Sequence, residues 1–200
     1  MKLCRIHLNT VAAVPEEYLM SLMPRRYARS RRYLRHEDQL RCLGAGLRIN
    51  RVMGFEEHEL RYGQFGKPYV PGRTEFSLSH GGNWVILAEN RTPLGVDIEP
   101  ICSTNLDIAR RVFTSNELAW MEQDPLVRFH ILWTLKESIL KGTGLGMQLD
   151  PALFDVIPVG APKQIAGHTW HTFWTLHDGC AVACASTSKI DTIEWSEIFF

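Results

Sequence analysis

One pattern restricts the folds open to this chain more than any other: a long helix-forming segment followed by three strand-forming segments occurs twice. In the first half, an arginine-rich run from Arg29 to about Asn50 carries Tyr33, Leu34, Leu40, Leu43 and Leu47 at the spacing of one buried helix face. Gly63, Gly66, Pro68, Pro71 and Gly72 then mark a loop region, after which Glu75–Ser79, Trp84–Glu89 and Leu94–Glu99 read as strands. In the second half, Asp124-Pro125 predicts an N-cap with proline at the first helical position. Leu126, Phe129, Leu132, Trp133 and Leu140 keep a helical period, and Gly142 supplies the stop. Strands follow near Leu153–Ile157, Thr169–Leu176 and Cys180–Ala185, the last two joined by a hairpin turn at His177-Asp178-Gly179. Ahead of all this stand a short strand at Leu3–Leu8 and a short helix from Pro15. The expected fold is α+β with two similar subdomains, residues 1–99 and 100–200. Each is a long helix on a small, mainly antiparallel three-stranded sheet, with a ligand site at the seam.

Composition removes several classes of function. The 200 residues are 45% hydrophobic, which is globular rather than disordered, and 22 basic residues balance 22 acidic ones. There is no global basic field to hold nucleic acid. No apolar run reaches the length of a signal peptide or a membrane span, so a cytoplasmic protein is expected. The five cysteines are odd in number and contain no C-x-x-C pair, which reads as reduced core thiols. His168, His171 and His177 follow no zinc spacing and read as core or hairpin residues.

Chemistry concentrates in two places. In Gly95-Val96-Asp97-Ile98-Glu99 the carboxylates alternate past Ile98, so a strand points Asp97 and Glu99 the same way with Val96 and Ile98 behind them. Two like charges on one face repel, and a hard divalent cation such as Mg²⁺ relieves that repulsion while leaving room for phosphate oxygens. Downstream, Trp133-Thr134-Leu135-Lys136-Glu137-Ser138-Ile139-Leu140-Lys141 places Glu137 and Lys141 on one helix face. Glu137 is a third possible ligand, or else half of an i,i+4 ion pair with Lys141.

These two motifs, together with Gly66-Lys67-Pro68 and Phe76-Ser77-Leu78-Ser79-His80, resemble the 4′-phosphopantetheinyl transferases, and most closely the surfactin-synthetase-activating type with two similar halves in one chain. The resemblance runs from about Pro24 to about Leu153. It implies a monomeric enzyme that transfers the 4′-phosphopantetheine arm of coenzyme A to a serine of an apo acyl or peptidyl carrier protein, with Mg²⁺, releasing adenosine 3′,5′-bisphosphate. The pathways it implies are nonribosomal peptide or polyketide synthesis, and lysine or fatty acid synthesis.

By the same resemblance Asp97, Glu99 and Glu137 are the metal ligands and Lys141 lies near the phosphates, with Lys136 as a second lysine on that helix. Ser79 and His80 contact the phosphates of coenzyme A, Lys67 the nucleotide end, and Arg26 and Arg29 the 3′-phosphate. Glu117 matches a proposed general base, but Thr114-Ser115-Asn116-Glu117 is also a capping box, and the two roles compete for one carboxylate. Glu137 or a metal-bound water can take the proton instead. Two other readings stay open: a noncatalytic coenzyme A or carrier-binding relative, and another Mg²⁺-dependent enzyme acting on a diphosphate.

Overall fold

Strands that are apolar on both faces need cover on both sides. The computed structural model, which describes residues 1–103 and 107–197, provides that cover by stacking sheets and helices in layers. Along the chain come β1 (Lys2–His7), α1 (Leu8–Ala12), α2 (Glu16–Leu22), α3 (Pro24–Ser30), α4 (His36–Met53), β2 (Arg61–Tyr62), β3 (Pro68–Tyr69), β4 (Glu75–Gly81), β5 (Trp84–Asn90) and β6 (Leu94–Pro100). They continue as α5 (Ala109–Val112), α6 (Ser115–Met121), α7 (Pro125–Thr143), β7 (Lys163–Ile165), β8 (His168–His177), β9 (Cys180–Ser186) and β10 (Glu194–Glu197). One sheet has the order β10-β1-β5-β4 and the other β6-β9-β8-β7, with β2 and β3 forming a short ribbon apart. β10 runs parallel to β1, and the other strand pairs are antiparallel.

Side-chain alternation assigns the layers. Ile6 and Val85 face α4 and pack on Leu43 and Leu47. Leu3, Trp84, Ile86 and Ala88 face the other way, toward Leu94, Val96, Ile98, Val182 and Cys184 of the second sheet. On that sheet's outer face Ala181, Ala183 and Ala185 lie under Leu132, Leu135 and Ile139 of α7. The order is helix, sheet, sheet, helix, with the main apolar contacts at each of the three junctions. Among the described residues no helix is long and apolar enough to cross a membrane.

Several expectations need correction. The helix predicted over 29–50 is two helices, α3 and α4, broken at 31–35. Leu34 is fully exposed at 102% and Tyr33 is exposed too, so the buried stripe begins at Leu40. Proline at the first position of α3 sets one start, and Glu37 and Asp38 in the first turn of α4 set another, which a single apolar period does not reveal. No strand forms at Leu153–Ile157: Pro151–Leu153 is a 3-10 turn and the next residues are irregular. Side chains satisfy that backbone, since Lys136 Nζ donates to Pro151 O and Phe154 O, both at 2.6 Å, and Val156 N donates to Glu117. Gly142 does not stop α7. Gly144, at φ +72°, is the C-cap, and Gly142 is inside the helix, where a Cβ would come within 2.5 Å of the Trp170 ring.

The hairpin is where the sequence placed it. His177 pairs with Cys180 around Asp178 and Gly179, whose φ values of 48° and 69° are those of a two-residue type I′ turn. β6, read as the third strand of the first half, pairs instead with β9 along its whole length. Its free edge meets the edge of β4, where Val96 N donates to Ser77 Oγ at 3.1 Å in place of a ladder bond. The strand carrying Asp97 and Glu99 therefore sits where the two sheets meet, with its odd-numbered residues turned toward α7. There Gly95 is so close to the helix that a Cβ would fall 1.9 Å from Ser138 O.

Candidate active site

Asp97 is 2% exposed, and its Oδ1 accepts from Ser79 Oγ at 2.8 Å and from Lys141 Nζ at 2.6 Å. Lys141 Nζ also donates to Ser79 Oγ at 3.0 Å. The other carboxylate oxygen of Asp97, Oδ2, is buried and has no hydrogen-bond partner. Glu99 stands two residues along the same strand face, its carboxyl pushed up to about 7 by burial first and then by Asp97, with Lys141 and a hydrogen bond from Trp133 opposing. Glu137 is raised as well, by burial first and then by Asp97, with Lys141 opposing.

Helical period explains the convergence. Trp133, Glu137 and Lys141 are four residues apart on α7, hence on one stripe, and that stripe faces the strand. The i,i+4 pair expected between Glu137 and Lys141 gives way to a bond across elements, because the more deeply buried Asp97 gains more from the ammonium than the partly buried Glu137 does.

Among the described residues no three His, Cys, Asp or Glu side chains stand close enough together to enclose a metal ion. The cation that stands against Asp97 is the ammonium of Lys141, at 2.6 Å. The donor set nevertheless fits a hard cation: a buried carboxylate oxygen lacks a partner, and two neighbouring carboxyls have raised proton affinity beside that charge.

The residues that the resemblance matches to the phosphates extend away from this cluster. His80 follows Ser79 on β4, and its pKa is lowered by burial, then by Arg41 and Lys141. Arg41, which the sequence reading did not single out, donates to Asp38 Oδ1 at 2.7 Å and to Gly82 O at 2.8 Å. Its position is hidden in the sequence because it is one of many arginines in that segment. The role of Trp133 was concealed in the same way, by reading as part of the apolar stripe of α7.

Lys67 is held more firmly than a solvent-facing lysine. Its Nζ donates to Gly142 O at 2.9 Å and Leu94 O at 3.2 Å, and pairs with Glu75 at 3.3 Å. Burial lowers its pKa, with Glu75 opposing. It separates two openings. A largely apolar cavity of about 250 Å³ reaches Lys141 past Phe65, Phe76 and Gly144. A larger cleft of about 520 Å³ lies toward Tyr69 and Trp170 and does not reach the acidic cluster. Of the two, the smaller is the one lined by Lys141, whose ion pair joins it to Asp97.

Arg26 and Arg29 come together, but on a protein carboxylate. Each donates to Glu57 Oε1, at 3.1 and 3.2 Å, and none of the partners recorded for them belongs to the acidic cluster. Glu117 is set apart from that cluster as well. It is fully buried, its Oε2 accepts from Thr114 N and pairs with Lys136, both at 2.8 Å, and its Oε1 accepts from Val156 N at 2.9 Å. The capping box is formed, with Thr114 Oγ1 accepting from Glu117 N. A carboxylate with both oxygens engaged and no exposed surface cannot reach a serine on another protein. Lys136, equally buried and with burial lowering its pKa, is likewise withdrawn from any ligand.

Residues 93–185 match the profile of the 4′-phosphopantetheinyl transferase superfamily, a span that includes β6 and α7. The chain is 31% identical over 153 residues to the 4′-phosphopantetheinyl transferase Sfp of Bacillus subtilis (strain 168), covering 70% of this chain and 68% of that one. It is 33% identical over 128 residues to the 4′-phosphopantetheinyl transferase gsp of Aneurinibacillus migulanus, covering 59% and 54%. Similarity extends to the L-aminoadipate-semialdehyde dehydrogenase-phosphopantetheinyl transferase of Saccharomyces cerevisiae (strain ATCC 204508 / S288c), 30% identical over 125 residues and covering 55% and 46%.

Proposed function

This chain belongs to the 4′-phosphopantetheinyl transferase superfamily, and on that premise we propose that Asp97, Glu99 and Glu137 hold Mg²⁺ on the pyrophosphate of coenzyme A while the arm passes to a carrier serine. The reaction transfers 4′-phosphopantetheine from coenzyme A to a carrier protein. A bond forms between the serine oxygen and the phosphorus bearing the pantetheine arm, the bridging P–O bond breaks, and adenosine 3′,5′-bisphosphate leaves with the electron pair. Asp97, Glu99 and Glu137 would hold the Mg²⁺, which would supply neutralisation of the pyrophosphate charge.

The chain's own residues do the rest. Lys141, already beside Asp97 and lining the smaller cavity, donates to the phosphates as a point charge. Ser79 and His80 position the pyrophosphate from β4, and Lys67 fixes the wall of the cavity at the nucleotide end. Arg26 and Arg29 take the 3′-phosphate. With Glu117 committed to internal partners, the serine proton goes to Glu137. Glu117 is assigned to structure and not to proton transfer, on the strength of its internal partners. In this reading residues 1–99 and 100–200 are two subdomains related by a pseudo-twofold, sharing the strand that bears the acids, and the enzyme works as a cytoplasmic monomer.

The observation that carries the metal assignment is the buried, unpartnered Oδ2 of Asp97, together with the raised proton affinity that burial and the Asp97 charge give Glu99 and Glu137. The test is incubation of the purified chain with coenzyme A, Mg²⁺ and a panel of apo acyl and peptidyl carriers, followed by mass spectrometry of the carriers. A gain of the phosphopantetheine mass that chelation abolishes is expected. Coenzyme A binding with no gain on any carrier would indicate a noncatalytic relative, and cleavage of coenzyme A without a carrier would indicate a hydrolase.

A further inference from the structure

The basic end of the molecule contains an anion site that one of its own side chains fills imperfectly. Arg26 Nη2 and Arg29 Nη2 both point at a single oxygen of Glu57. Arg26 is only 6% exposed and spends Nη1 on Cys42 O at 3.3 Å. Its Nε is buried with no acceptor, and the second oxygen of Glu57, Oε2, is buried with no donor. Donors and acceptors are thus left over on both sides of one ion pair. A buried charged group left short of partners costs free energy, so the match is suboptimal.

Two guanidinium forks suit a group with several anionic oxygens better than one carboxylate oxygen. A phosphomonoester has three terminal oxygens and close to two charges. With Glu57 in place the two arginines keep one uncompensated positive charge. With a phosphomonoester in place of Glu57 the charges cancel, and with both anions present like charges crowd together. The turn bearing Glu57 does not depend on its side chain, since Glu56 and Glu59 form the capping box of Glu57–Glu59. The side chain can leave without unravelling that turn.

We propose that Glu57 is a built-in surrogate for a phosphomonoester on the ligand, and that it sets both the affinity and the selectivity of this end of the site. A phosphomonoester displaces it, and a ligand without one leaves it on the arginines. The proposal rests on the reading that Arg26 and Arg29 take the 3′-phosphate of coenzyme A.

Calorimetric titration of the full chain and its Glu57→Gln and Glu57→Ala variants with adenosine 3′,5′-bisphosphate and with adenosine 5′-monophosphate tests it. Both variants should bind the bisphosphate roughly tenfold more tightly than the parent, the scale of a lost competing charge-assisted hydrogen bond. Binding of the monophosphate should stay within about twofold, because the field change alone is screened at this partly exposed position. Unchanged or weaker binding of the bisphosphate by folded variants overturns the surrogate role, as does an equal gain for both nucleotides. A parent that modifies a carrier while its variants bind as it does leaves the proposed function standing and removes this inference alone. A parent that modifies a carrier but binds neither nucleotide removes this inference alone, and one that does neither removes both.

Discussion

Lys141 Nζ lies 2.6 Å from Asp97 Oδ1, joining α7 to β6 by an ion pair in which the carboxylate is buried and the lysine a third exposed. In the proposed reading a lysine so placed competes with the metal for the same carboxylate. Replacing it with methionine removes the countercharge only where nothing else supplies one. Lys141→Met should therefore lower the melting temperature in chelator, by the equivalent of about 1–3 kcal/mol for a buried acceptor losing a charged donor. It should lower it far less in saturating Mg²⁺. Equal losses in both conditions would mean that no cation replaces the ammonium.

Glu99 makes the metal-free protein pH-sensitive in a defined direction. Its folded carboxyl is raised from 4.5 to about 7, chiefly by burial. Below the unfolded value both states hold the proton, and between the two values the folded state keeps a proton that the unfolded chain releases. Stability from this group is present at low pH and is lost as pH rises through about 7. Glu99→Gln, a mimic of the protonated form, should match the parent in chelator near pH 4.5 and exceed it at pH 8, while losing most transfer activity. Denaturant midpoints at the two pH values check this, and a difference that does not grow with pH contradicts it.

Substitution of Glu117 separates its two candidate roles. Glu117→Gln leaves Lys136 buried with its charge uncompensated, a change that costs about 3–5 kcal/mol when one partner of a buried pair is removed. A large fall in melting temperature is expected, with turnover per folded molecule retained. The double variant Glu117→Gln/Lys136→Met should recover part of the stability. A Glu117→Gln protein that melts like the parent but does not turn over would restore the base assignment.

Lys67→Met should affect folding as well as binding. The side chain donates to carbonyls on β6 and near the end of α7, so its loss leaves both short of a donor at about 1–3 kcal/mol. The expected result is a lower melting temperature together with a higher coenzyme A requirement, and a carrier requirement that moves less. Unchanged stability would show that Lys67 serves the ligand alone.

How much of this was legible depended on whether local chemistry or distant packing set each feature. The D-x-E strand, the Thr114 capping box, the Asp124-Pro125 start and the Asp178-Gly179 turn are short-range, and each is formed as read. Leu34 misled because an apolar residue at helical spacing says nothing of a break at 31–35. The segment near Val156 reads as a strand by composition, but two buried side chains, Glu117 and Lys136, satisfy its backbone from outside. β10 is exposed over most of its length and takes its order from pairing with β1, far away in sequence. Glu57 gave no signal, since one acid in Glu56-Glu57-His58-Glu59 is like another until Arg26 and Arg29 come to meet it.

The contact of Gly95 with Ser138 has a consequence for how such a protein can change over time. Asp97 and Glu99 are counted from Gly95 along a strand, and Glu137 and Lys141 flank Ser138 on a helix, so main chain touching main chain fixes the gap between the two charged sets. Mutational drift can rework the apolar interior, and the carrier-facing surface can be remodelled for new clients, without resetting that gap. One added methyl group at position 95 would reset it at once, although that residue holds no reactive atom.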